Sequence, residues 1–222
     1  MNPLNYSAYI SIRKIERTFT YDNTPVLKVS VQYPKVILYK NLSTLRIINS
    51  QIQTQVNDFY HYASSDLYQQ AIDDYKYKQE NGFPFNHYEA MLHYEITYNE
   101  HYYLSLYRDQ YEYTGGAHGN TVRSSDTWNL KNGHNVLLSE FFSADQDYRA
   151  YLIEQITRQA DEQMTQNPGI YFENYQALIV QYFNEEHYYL VPDGIAIYYQ
   201  QYEIAPYSAG IVVFTITMPA MT

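Results

Sequence analysis

The chain has 222 residues and carries 14 Lys+Arg against 24 Asp+Glu, a formal net charge of −10 with histidine neutral. Hydrophobic residues make up 45% and charged residues 17%, enough apolar chain to bury a core and too little charge for a disordered acidic tail. An acidic chain without a Lys/Arg run excludes non-specific nucleic-acid binding, which needs a basic footprint, and makes a basic partner the natural match.

Cysteine is absent, so disulfides, thiol nucleophiles and zinc–thiolate sites are excluded together. No stretch approaches the roughly 18 apolar residues of a membrane span, and the opening Met1–Tyr6 has neither the basic nor the apolar region of a signal peptide. The chain as it stands is therefore expected neither to cross a membrane nor to carry its own export signal. The compositional outlier is tyrosine, 29 residues against 9 Phe and 1 Trp.

Residues 9–19 and 26–33 alternate as strands, with Leu27, Val29, Val31 and Tyr33 on one face and turn chemistry at Tyr21–Pro25 between them. Pro34 closes the second strand or places it at an edge. From Asn41 the apolar period becomes helical, through Leu42, Leu45, Ile48, Ile52, Val56, Phe59, Ala63, Leu67 and Ala71. Ser43 is the candidate cap, Gly82 with Pro84 the stop, and Ser64-Ser65 the place for a break.

Alternation returns after Pro84, with Tyr88, Ala90, Leu92, Tyr94 and Ile96 on one face, a turn at Asn99-Glu100, and a second strand from Tyr102 to Tyr113. A third strand, Thr121 to Leu130, ends at Lys131-Asn132-Gly133-His134, whose Asn-Gly pair suits a tight turn. Residues 137–142 and 144–164 read as helical, Asn167-Pro168-Gly169 stops them, and a shorter helix follows near 174–183. Strands at 188–191, 195–199 and 211–218 close the chain. The fold class is α+β: mainly antiparallel sheet packed by one long helix and a shorter C-terminal helical segment. Nothing in composition divides the chain, so residues 1–222 are expected to form one globular unit.

Tyr113-Thr114-Gly115-Gly116-Ala117-His118-Gly119 holds three of the eight glycines. It lacks the Lys-Ser/Thr ending of a phosphate loop. His118 is either a ligand or general base held on a glycine-permitted backbone, or a structural hydrogen-bonding residue. Glu185-Glu186-His187 reads as a solvated turn, and Asp73-Asp74 as the polar side of the long helix. No metal set, no cofactor motif and no assembled catalytic set is present. Adjacent tyrosines in strands, Tyr102-Tyr103, Tyr188-Tyr189 and Tyr198-Tyr199, are expected to place one ring inward and one outward, leaving half the rings free to stack on sugars or anchor a protein. In the connection 202–210, Pro206 fixes the backbone and Gly210 frees the return, so Tyr207 is either an anchor on a pre-ordered loop or part of a structural corner.

The 113–119 motif, the Leu-Leu-Ser-Glu-Phe-Phe segment at 137–142 and Pro-Asp-Gly-Ile-Ala-Ile-Tyr-Tyr-Gln-Gln-Tyr-Glu-Ile-Ala-Pro-Tyr-Ser-Ala-Gly at 192–210 together resemble one bacterial family. It is the extracytoplasmic domain shared by the RsiV anti-sigma factor and by the region ahead of the catalytic domain in the PdaC peptidoglycan deacetylase. The resemblance covers roughly residues 8–218, with family halves at approximately 8–115 and 135–218. It implies an extracytoplasmic, non-enzymatic binding or sensing domain whose partner is lysozyme, another basic protein or a peptidoglycan glycan. The expected partner-binding residues are Tyr113, His118, Glu203, Pro206 and Tyr207. The family's sigma-binding segment, membrane helix and deacetylase catalytic domain are missing from this sequence. The alternatives are a peptidoglycan-directed hydrolase or deacetylase using His118 with a carboxylate brought near by folding, and a glycan-binding module using exposed tyrosines.

Overall fold

The computed structural model describes residues 6–39 and 41–218. Eight strands and four α-helices build it. Strands β1 (Tyr9–Tyr21) and β2 (Thr24–Ile37) form a hairpin. Its turn is Asp22-Asn23, both in the left-handed region with φ of 46° and 63°, where Asn and Asp are tolerated best among non-glycine residues.

Helix α1 (Leu42–Tyr62) and helix α2 (Tyr68–Asn81) are joined without interruption by a π-helical turn, Ala63–Leu67, where the break was expected. The cap of α1 is Asn41 rather than Ser43: its Oδ1 accepts from the Thr44 amide at 3.2 Å, while the Ser43 hydroxyl donates to that same oxygen at 2.8 Å. Gly82 ends α2 in the left-handed conformation that glycine adopts without strain, φ 70°.

Strand β3 (Tyr88–Glu100) then runs parallel to β2, Leu27 opposite Tyr88 through Gln32 opposite His93. A parallel pair needs a long crossover, and the helical segment 42–81 supplies it. The register with β3 ends before Pro34, which lies where β2 pairs with β1 alone, opposite Ile12. Strands β4 (Tyr103–Tyr113) and β5 (Asn120–Asn129) complete a five-stranded sheet in the order β1-β2-β3-β4-β5. Helix α3 (Tyr148–Gln166), capped by Asp147, and helix α4 (Tyr175–Tyr182) precede a second, antiparallel sheet of β6 (Tyr188–Val191), β7 (Gly194–Tyr199) and β8 (Val212–Thr217). The mixed α+β class is as expected, with mainly antiparallel sheet and one long helical segment.

Two further positions depart from expectation. The β3–β4 turn falls at His101-Tyr102, with φ of 50° and 66°, and not at Asn99-Glu100. The Asn99 side chain is used elsewhere, accepting from the Ala8 amide and donating to the Ala8 carbonyl, both at 2.8 Å. The expected helical stretch at 137–142 is only a 3-10 turn, Leu138–Phe141, and α3 starts at Tyr148 rather than at residue 144.

The described residues gather into two compact units, one of Tyr9–Tyr94 with Arg108–Val122, the other of Glu95–Tyr107 with residues 6–8 and 123–218. In the first, Ile48, Ile52, Val56, Phe59, Ala63, Leu67 and Ala71 of the helical segment and Val26, Leu27, Val29, Val31, Ala90 and Leu92 of the strands are all buried, with α1 and α2 both against β2. In the second, Leu152, Ile156 and Ala160 of α3 and Ile179 of α4 pack on Tyr188, Leu190, Ile195, Ile197, Tyr199, Phe214 and Ile216.

Candidate functional site

The small sheet decides where the tyrosines go. Tyr188 and Tyr199 join the core under α3 and α4, while Tyr189 and Tyr198 lie on the opposite face with Ala196, as period-2 alternation requires. Both faces are covered: all four rings are at most 6% exposed. On the second face the Tyr107 and Tyr189 rings lie 5.2 Å apart, and the Arg123 guanidinium sits 3.6 Å over Tyr107. His187 stacks on Tyr198 at 4.8 Å, and burial pushes its imidazole below the ordinary range. The expected one-in, one-out exposure of these pairs is therefore corrected. Glu185-Glu186-His187 does form a turn, closed by the His187 amide on the Asn184 carbonyl at 3.0 Å with both glutamates exposed, but the His187 ring is half-buried rather than solvated.

Buried tyrosine hydroxyls need acceptors. Tyr188 donates to the Val136 carbonyl at 2.6 Å and Tyr199 to the Ile179 carbonyl at 3.1 Å. Burial raises both phenols above their usual range.

The connection from Gln200 to Ile211, in this same unit, is held from inside. The Gln200 side chain mimics a strand partner, accepting from the Arg123 amide at 2.9 Å and donating to the Arg123 carbonyl at 2.7 Å. The Glu203 carboxylate turns back to accept from the Gln200 amide at 2.6 Å. Its half-burial raises its carboxyl above the ordinary range, partly offset by that hydrogen bond. Ile204 is buried, and its carbonyl accepts from the Phe172 amide at 3.1 Å. Pro206, at φ −65°, leads into the short 3-10 turn Tyr207–Ala209. The Tyr207 and Tyr202 rings lie 5.8 Å apart, and Tyr202, itself at a positive φ of 68°, is 52% exposed. Of the residues expected here, Glu203 and Pro206 shape the loop and Tyr207 contributes a ring at its surface.

The glycine-rich motif belongs to the other unit. Tyr113 ends β4, and Gly115 takes a positive φ of 81°. His118 is exposed, with Nδ1 3.0 Å from the Gly119 carbonyl oxygen. Gly119 is buried beneath the Tyr111 ring, so closely that an added Cβ would lie 2.3 Å from Cε2. A hollow of about 270 Å³ beside the motif is lined by Phe59, Tyr62, Glu112, His118 and Gly119 among others. The Tyr62 hydroxyl donates to Glu112 at 2.8 Å. Burial first, then this bond to a carboxylate, pushes the phenol up to about 12. Folding thus places a carboxylate on the same hollow as His118. Tyr62 and Glu112 were not among the candidate residues; fifty positions apart, they carry no local signal.

Among the described residues no group of three His, Asp or Glu is placed to hold a metal ion, and no helix is long and apolar enough to cross a membrane.

Residues 21–121 match the family model described as deacetylase PdaC, and residues 139–218 match a model described as a protein of unknown function, DUF3298. No curated protein matches the chain in sequence. A solved DUF3298 family member from Bacteroides fragilis superposes with a TM-score of 0.70 at 18% identity, covering 96% of this chain and 92% of its own. One from Pseudomonas aeruginosa gives 0.63 at 13% identity over the same shares. At such identities the likeness speaks for fold alone. The two family models in tandem, with the motifs at 113–119 and 192–210 falling inside them and a fold shared across almost the whole length, place the chain in the PdaC/DUF3298 (RsiV-like) domain family.

Proposed function

We propose that the chain is a non-enzymatic, extracytoplasmic binding or sensing domain whose ligand is lysozyme or another component met at the cell envelope. The observation that carries this reading is the Tyr202–Gly210 loop. Two aromatic rings stand together on a backbone already braced through Glu203, Gln200 and Arg123. A loop ordered before binding loses little entropy on docking, and tyrosine is a frequent interface anchor. Lysozyme is basic, and a chain of net charge −10 attracts it at long range.

Titration of the protein with lysozyme tests the reading. Saturable binding that weakens as salt is raised is expected, together with inhibition of lysis. Tyr207→Ala and Tyr202→Ala should each weaken binding by about tenfold or more. Absence of binding at low salt removes lysozyme as the ligand.

The hollow shared by His118 and Glu112 favours a second reading, a peptidoglycan-directed hydrolase or deacetylase, in line with the description of the first family model. It requires acetate or new reducing ends released from peptidoglycan, with the release lost in His118→Ala. Glycan binding through strand tyrosines has less support, because those of the small sheet are buried.

A further inference from the structure

Cations separated in sequence meet in the unit built on β1, β2 and α1. A hollow of about 510 Å³ is lined by Arg13 of β1, Lys35 of β2 and Arg46 of α1, and no acidic residue lines it. Strand register and helix period account for the convergence. Arg13 stands opposite Tyr33, so Lys35, two residues further along β2, is its diagonal neighbour on the same face. Arg46, Asn49, Ser50 and Gln53 follow the i, i+3, i+4, i+7 spacing of one helix face, and all four line the hollow.

Three further facts bear on what the hollow takes. Arg13, Lys35 and Arg46 are all exposed, and none makes an ion pair or a hydrogen bond among the described residues. The first turn of α1 carries no acid, so the positive end of the helix dipole adds to the local field. Asn49 is already committed, clamping the Val36 amide and carbonyl at 2.9 and 2.8 Å, which fixes α1 on β2 beside the cations. In a chain of net charge −10, a concave site with three unneutralised cations and no acid runs against the average field of the molecule.

We infer that this hollow is an oxyanion site, receiving a phosphate group through charge-assisted hydrogen bonds from Arg13, Lys35 and Arg46. Arginine forks and a lysine ammonium suit phosphate oxygens. The phosphate can belong to a small free anion or to a longer phosphate chain. This inference is independent of the lysozyme reading, which rests on the other unit and on attraction of a basic partner.

The test is titration of the whole chain with inorganic phosphate and with tripolyphosphate, at ionic strength held constant with chloride, followed by amide NMR shifts. Saturable shifts at β1, β2 and the start of α1 are expected. Tripolyphosphate binding tighter than phosphate assigns the ligand to the longer kind, and equal or weaker binding to the small anion. Arg13→Gln/Lys35→Gln/Arg46→Gln should weaken binding by at least about tenfold. Lys14→Gln/Arg17→Gln, which removes two β1 cations outside the hollow, should leave it within about twofold. The proposal is overturned by non-saturable shifts with both anions, or by equal losses in the two variants, which would mean attraction to net charge alone. Amide spectra of each variant, read first, show whether it is folded. If the triple variant does not fold, the single Arg46→Gln carries the same comparison.

Discussion

Gly119 shows what one absent side chain does. Its buried backbone sits under the Tyr111 ring, where a Cβ would come within 2.3 Å of ring carbon. Gly119→Ala must therefore displace Tyr111 from the wall of the hollow beside His118. A stability loss of about 1–3 kcal/mol is expected, read as a lower urea midpoint at unchanged m-value. At Tyr199 the group at stake is polar. Tyr199→Phe leaves the Ile179 carbonyl without its partner in a buried site, and the same measurement should show a loss of about 1–2 kcal/mol.

Glu203 links a single residue to pH. Half-burial raises its carboxyl above the ordinary value of 4.5. The folded chain therefore binds the proton more tightly than the unfolded one. This group's contribution to stability is greatest below 4.5 and is lost as pH rises through the folded value. Glu203→Gln keeps an acceptor for the Gln200 amide and removes the charge. Its melting temperature relative to the parent should thus be unchanged or higher at pH 7, with the difference narrowing toward acid pH. A variant less stable at pH 7 and not at acid pH would show that the charged bond outweighs the burial.

At the scale of elements, the long helical segment keeps its stripe in register through the π-turn at Ala63–Leu67. Phe59, Ala63, Leu67 and Ala71 are all buried at successive spacings of four, a run that drifts around a regular α-helix with 3.6 residues per turn. The wider π-turn absorbs one residue of that drift. Deleting Ser65 should convert the turn to regular α-helix while leaving Ala71 and Ile72 on the core side, at a cost below about 2 kcal/mol. Deleting Thr54 in α1, where nothing absorbs the change, rotates the buried face by about 100° and should cost substantially more in the same urea series.

The β3–β4 turn lies at His101-Tyr102 for an equally physical reason. Tyr102 is held in the left-handed region by its surroundings: its amide donates to Tyr6, its carbonyl accepts from Leu130, its ring stacks on Tyr6 at 4.9 Å, and Lys131 lies 4.4 Å over it. Tertiary contacts of this kind offset a backbone cost of about 1–2 kcal/mol that the local sequence argues against.

For the molecule as a whole, the family-model boundaries and the compact units do not coincide. The second model begins at residue 139, yet the unit containing it also takes in 95–107 and the chain from 123. Tyr107 and Arg123 cover the second face of the small sheet, and Ser105 accepts from the buried Leu190 amide at 2.9 Å. A fragment 139–218 would expose the Tyr189 and Tyr198 rings and leave that amide unpaired. It should show no cooperative urea transition and poor amide dispersion, whereas the full chain should unfold cooperatively.

Period and punctuation alone placed nearly every element. Leu27 to Val31, the stripe from Ile48 to Ala71, Gly82 and Asn132-Gly133 are local signals, because alternation, helical spacing and a residue able to take a positive φ act over a few positions. The family motifs were equally legible, since they are contiguous. Which faces are covered, and which charges meet, depend on long-range contact. That is why Tyr189 and Tyr198 are buried where alternation left them free, why Glu203 braces a loop, and why Tyr62 meets Glu112. The sequence by itself showed an acidic chain without a Lys/Arg run; only strand register and helix packing bring Arg13, Lys35 and Arg46 to one hollow, because electrostatic potential follows distance in space and not along the sequence.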